Sequence, residues 1–213
     1  TLFHRDLFPK VAIIDPKLML SVPSRITAAT GFDAFTHAFE SYLGKRTSPL
    51  TEYLSLETIR LVVEYLPKAI QKPDSIEYRT KLAWADTAAG ICLSNGGADL
   101  PHPLGEIIGG ICQRIAHGET LAIVYPAFLE YKEKIAAEKF RNIASYLGIE
   151  KTPKALTNEI IGLLKTTDLI KSKSRAAITL NEQAEILSHP LLKKLDSKNS
   201  EKILSIMSQS IKE

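Results

Sequence analysis

The sequence predicts an all-α protein, a multi-helix bundle with one short strand at its N-terminal edge. Three observations predict it. Segments with apolar residues at helical spacing follow one another from Ser24 almost to the end of the chain. Proline, serine or glycine stands at many of their ends, where helices start and stop. After Asp15, β-branched runs of strand length are almost absent.

The strand is "KVAIID", Lys10–Asp15, short and β-branched and closed by Asp15-Pro16. A lone strand cannot satisfy its backbone groups. It therefore pairs with a partner chain or belongs to the sheet of another domain. The first helix runs from Ser24, behind Pro23, to Leu43, with Gly44 as its stop. In "SPLTEYLSLETIRLVVEYLPKAI", Leu54, Ile59, Leu61, Val62 and Leu66 lie near helical spacing, and Pro67 interrupts the pattern close to its end. The stretch from Ser75 is helical up to Gly96-Gly97. Further helices are expected over His102–Ile111, Gly118–Lys132, Ala136–Leu147, Lys154–Leu164, Asn181–His189 and Asn199–Ser210. No internal repeat or low-complexity segment is found.

Composition narrows the function. The chain has 213 residues, 45% apolar and 24% charged, enough for a sizeable core. A net charge of +3 does not point to nucleic acid. The lysine-rich tail from Lys165 to Lys212 has Asp and Glu mixed in and reads as a solvated helical surface. No apolar run approaches the ~18 residues of a membrane span, and the opening residues do not form a signal peptide. Cys92 and Cys112 match no zinc or redox spacing, so two reduced, packed thiols in a cytoplasmic protein are expected. The start at Thr1, with no initiator Met, gives the expectation of a piece of a longer chain.

Two stretches carry chemistry. In "FDAFTHAFES", Asp33 and His37 lie one turn apart on one helix face. Such a pair is either a local hydrogen bond or half of a metal site. The other half would come from "LPHPLGEIIGGICQRIAHGETLAIVYP". There His102, between Pro101 and Pro103, stands at a helix start, and His117 precedes the next helix. One carboxylate oxygen with three imidazole nitrogens suits Fe(II) or Zn(II) and suits Mg(II) or Ca(II) poorly. Glu119, in a helix's first turn, reads mainly as structural.

"DPKLMLSVPSRITAATGFDAFTHAFESYL" and "PHPLGEIIGG…IAHGETLAIVYPAFL" together resemble the paired motifs of the iron-containing, group III alcohol dehydrogenases. The likeness is strong over about residues 8 to 130 and rests on helical character beyond. It implies a dehydroquinate synthase-like C-terminal domain over 24–213, with 1–23 as the interdomain strand and connection. It also implies an N-terminal dinucleotide-binding domain outside this chain. No Gly-Gly-Gly-Ser loop is present, so weak or no NAD(P) binding is expected of this piece alone.

The family's metal ligands fall on Asp33, His37 and His117. For the remaining ligand two alignments stand. In the preferred one His102 is the ligand and Glu106 replaces the family's second histidine. In the other, His102 takes that second place and Ala98 the ligand place. In the preferred alignment Glu106 would orient His102, bind the ion, or serve the proton path. Glu106 and His102 are accordingly the candidate catalytic residues.

The activity implied is NAD(P)-linked interconversion of a small alcohol and an aldehyde or ketone, with a homodimer as a possible assembly. A helical metal-dependent hydrolase and a non-catalytic interaction module remain as alternatives.

Overall fold

The protein is described by a computed structural model that covers residues 4–170, 178–195 and 200–212. Helix α1 (Ser24–Leu43) has Pro23 before its first residue and ends at Gly44, whose N–H bonds to the Glu40 and Ser41 carbonyls. Helix α2 (Pro49–Gln71) is capped by the Ser48 side chain and runs on through Pro67, so that proline does not interrupt it. Helix α3 (Ile76–Gly96) is capped by Ser75. Helices α1, α2 and α3 pack on one another. Then come α4 (Pro101–Ile111), α5 (His117–Ile135), α6 (Ala137–Tyr146) and α7 (Pro153–Thr166). The chain closes with α8 (Leu180–Ser188), α9 (Pro190–Leu195) and α10 (Ser200–Lys212). Asn199, the expected start of the last helix, lies outside the described residues.

Helix α5 is the axis of the fold. Its run Leu121–Leu129 is buried on nearly every side, as expected for a helix hydrophobic all round. One flank meets α1, α2, α6 and α7 in the main core, and the other meets α4 and the C-terminal helices in a second cluster. On α1, Phe32, Phe35 and Phe39 are fully buried. The ring of Tyr125 meets Phe32 edge-on at 5.1 Å and 76°. Each such phenyl ring stabilises the fold by about 1.5–3 kcal/mol. Together they hold α1 firmly against α5.

The expected strand is not formed. Val11–Asp15 takes no regular structure, and Val11 and Ile13 are 77% and 89% exposed. No strand occurs among the described residues, so this run finds no edge to pair with. Instead, Asp15 accepts a hydrogen bond from the Lys17 N–H and starts a 3₁₀ helix, Pro16–Ser21, that leads into α1. Arg79 on α3 anchors this entry by donating to the Val22 carbonyl and to Thr27 Oγ1. Cys92 and Cys112 are free and buried. No helix among the described residues is long and apolar enough to cross a membrane.

Candidate metal centre

Beside its aromatic face, α1 carries a polar stripe. Asp33, His37 and Glu40 follow at intervals of four and three residues, so all three lie on one side of the helix. His37 Nε2 is 3.5 Å from Asp33 Oδ1. The first turn of α4 brings His102 Nε2 to 3.5 Å from the same oxygen. The first residue of α5 brings His117 Nε2 to 3.8 Å from it. The His102 ring stacks on His37 at 4.7 Å and faces His117 at 5.5 Å.

These distances fit a shared cation better than hydrogen bonds. At 3.5 Å a side-chain hydrogen bond is too long, and both Asp33 Oδ1 and His102 Nε2 are buried without a hydrogen-bond partner. Two donors bound at 2.0–2.2 Å to one tetrahedral zinc ion stand about 3.3–3.6 Å apart. Asp33, His102 and His117 each offer a ligand atom within 4.8 Å of the others. His37 lies outside that compact trio, although it is as close to Asp33 as His102 is. The nitrogen and oxygen donor set suits iron or zinc.

The surroundings hold each donor in place. Ser41 donates to the Gly97 carbonyl at 2.9 Å, and Gly97, at φ 82°, turns the chain toward α4. Lys132 pairs with Asp99 at 2.5 Å in that same turn. At the start of α5, Glu119 is buried. It accepts two bonds of 2.7 Å from Arg25 and one of 2.9 Å from the Ala116 N–H. His117 is thereby fixed next to α1, and Glu119 does more than face a helix dipole.

Glu40 is the residue that sequence reasoning passed over. It is 1% exposed. Its Oε2 accepts from His102 Nδ1 at 2.9 Å and from the Asp99 N–H at 2.7 Å, and its Oε1 accepts from Tyr125 at 3.3 Å. Its one sequence signal was a carboxylate on the Asp33–His37 stripe inside an apolar run. Glu106, by contrast, is exposed. The two ring nitrogens of His102 face Asp33 and Glu40, so Glu106 does not orient that ring. It is His102, not Ala98, that places a donor beside Asp33.

The electrostatics follow from this packing. Burial favours the neutral form of His102, but Asp33 and Glu40 outweigh it and move its pKa up to about 10. Burial pushes His37 the other way, down to about 4. For Asp33, burial opposes ionisation, yet the three imidazoles prevail and lower its pKa. Burial raises Glu40, against the pull of His102. Asp33 also borders a groove of about 380 Å³ lined by Val22, Ile26, Val62 and Leu82 together with Arg79 and Asp86.

The fold and the site define a class: a helical domain whose α1, α4 and α5 converge on one candidate cation position. The profile of the Fe-containing alcohol dehydrogenase family, C-terminal, matches residues 27–207. The chain belongs to that family and is its C-terminal helical domain.

Among curated relatives, it is 37% identical over 140 residues to an NAD-dependent methanol dehydrogenase of Bacillus methanolicus, covering 66% of this chain and 36% of that protein. It is 33% identical over 174 residues to a 1-propanol dehydrogenase of Salmonella typhimurium, covering 81% of this chain and 47% of that protein. Among solved structures, it resembles an archaeal alcohol dehydrogenase from a Red Sea brine pool, with a TM-score of 0.84 at 28% identity over 95% of this chain and 55% of that one. It also resembles a sulfoacetaldehyde reductase of Bifidobacterium kashiwanohense, with a TM-score of 0.81 at 26% identity over 96% and 55%. The chain thus spans about a third to a half of the curated relatives' length.

Proposed function

We propose that this chain is the metal-binding half of an NAD(P)-dependent alcohol dehydrogenase that interconverts a small alcohol and an aldehyde or ketone. Asp33, His37, His102 and His117 hold Fe(II) or Zn(II). The observation that carries this reading is the buried pair Asp33 Oδ1 and His102 Nε2, 3.5 Å apart and each lacking a hydrogen-bond partner. When bound, the ion supplies a Lewis acid for the substrate oxygen.

The chain's own residues do the rest on this side of the reaction. The groove beside Asp33, with apolar walls at Val22, Ile26 and Leu82 and polar groups at Arg79 and Asp86, is where the carbon chain of a small substrate would lie. A nicotinamide held by the dinucleotide-binding domain expected outside residues 1–213 would supply the hydride chemistry. Two relatives support the cofactor reading: the methanol dehydrogenase is named as NAD-dependent, and the sulfoacetaldehyde reductase structure holds NAD+. Glu106, exposed on α4, is left a part in the proton path and none in orienting His102.

The test is NADH or NADPH oxidation by the full-length protein with a panel of short aldehydes, before and after chelation. Turnover that falls with chelation and returns with Fe(II) or Zn(II) is expected. Turnover unchanged after complete metal removal contradicts the proposal.

A further inference from the structure

His102 has one nitrogen on Asp33 and the other on Glu40. Glu40 sits deeper than any of the four candidate ligands, at 1% exposure against 8% for His102. A buried carboxylate is costly unless its oxygens are satisfied. Here Oε2 accepts from two donors, His102 Nδ1 and the Asp99 N–H, and Oε1 accepts from the Tyr125 hydroxyl. The three donors come from the turn before α4, from α4 and from α5. Glu40 on α1 is thus the point at which the three elements that supply the ligands are joined.

The chemistry of imidazole gives this contact a consequence. With a carboxylate at Nδ1 that nitrogen keeps its proton, so the nitrogen that gives up its proton to a metal ion is Nε2, the one facing Asp33. The same bond stops the ring from turning about its χ2 axis. A carboxylate behind a ligating histidine also raises the basicity of the donor nitrogen.

We propose that Glu40 is a positioning residue for the metal site: it holds His102 in the Nδ1–H form and sets the affinity for the ion through that ring. The inference rests on the metal reading given above and assigns to Glu40 a role that the ligand set alone does not contain.

Two substitutions separate charge from packing. Glu40→Gln keeps the volume and leaves one oxygen to accept from His102 and Asp99, with the charge removed. Glu40→Ala removes the acceptor altogether. Zn(II) affinity of the full-length protein is measured by competition with a chromophoric chelator, and the ring ¹⁵N shifts of His102 are read in the zinc-loaded state. Ile59→Val, a core change on α2, controls for lowered stability alone.

The expected result is zinc binding weakened about 10-fold in Glu40→Gln and up to about 100-fold in Glu40→Ala. The Nδ1 shift should move away from its hydrogen-bonded value, and Ile59→Val should bind as the parent does. A parent that retains zinc together with a Glu40→Gln variant of equal affinity overturns this inference alone. A parent that retains no metal overturns the metal reading and this inference with it. If Glu40→Ala does not fold, Glu40→Gln decides.

Discussion

Gly118 lies against Ala29 so closely that a Cβ on it would overlap the Ala29 carbonyl. The residue after His117 therefore meets the backbone of α1 directly, and this contact sets how near His117 comes to Asp33. Gly118→Ala must push the start of α5 away from α1. A loss of about 1–3 kcal/mol of stability is expected from the overpacking, together with lost metal retention. Urea unfolding and metal analysis of the variant check both. Metal content equal to the parent's would show that α5 can shift without moving His117.

Glu119 makes a second tie at the same place. It is buried, accepts from Arg25 and caps the Ala116 N–H. Glu119→Ala should cost about 1–2 kcal/mol, the scale of a lost helix cap. Arg25→Ala should cost less, because the Arg25 side chain is 61% exposed. Urea midpoints of the two variants give the order, and a larger loss for Arg25→Ala would contradict it.

The two buried imidazoles give the metal-free protein a stability optimum. An unfolded histidine titrates near pH ~6.5. His37 titrates at about 4 in the fold, so between those values the unfolded chain binds more protons and stability is lost as pH falls. His102 titrates at about 10, so its contribution is complete below the unfolded value and is lost as pH rises toward 10. As far as these rings decide it, stability peaks near pH ~6.5. Urea titrations between acid and alkaline pH test this. His102→Gln should flatten the alkaline limb, and an unchanged limb would count against the assigned cause.

Glu106→Ala should leave metal retention intact, since Glu106 is exposed and both His102 nitrogens face other residues. A slower turnover in the full-length protein would place Glu106 in the proton path. Lost metal would restore it as a ligand or orienting group.

The helices were legible in the sequence because their ends carry stops and their faces carry long periodic patterns. Helix α1 has the bounds that Pro23 and Gly44 indicate, and α5 begins at His117, one residue before the expected Gly118. The strand expected over Lys10–Asp15 does not form among the described residues, because a β-branched run needs an edge to pair with and none is present there. Whether an edge exists is a fact about the rest of the protein. Helix α9, six residues that begin with Pro190, is too short to show a period. Asp33, His37, His102 and His117 could be picked out because metal-ligand residue types stand there in apolar or proline-bounded settings. Glu40 shares that stripe, but the contacts that single it out are with Asp99, His102 and Tyr125, 59 to 85 residues away, and no local pattern shows them.

The proposed function requires one cation held by Asp33, His37, His102 and His117. Metal analysis of the purified full-length protein beside its Asp33→Ala and His117→Ala variants decides it. About one Fe or Zn ion per chain is expected in the parent, as for a single site of this kind, and almost none in either variant. Undiminished metal in the His117→Ala protein would contradict it.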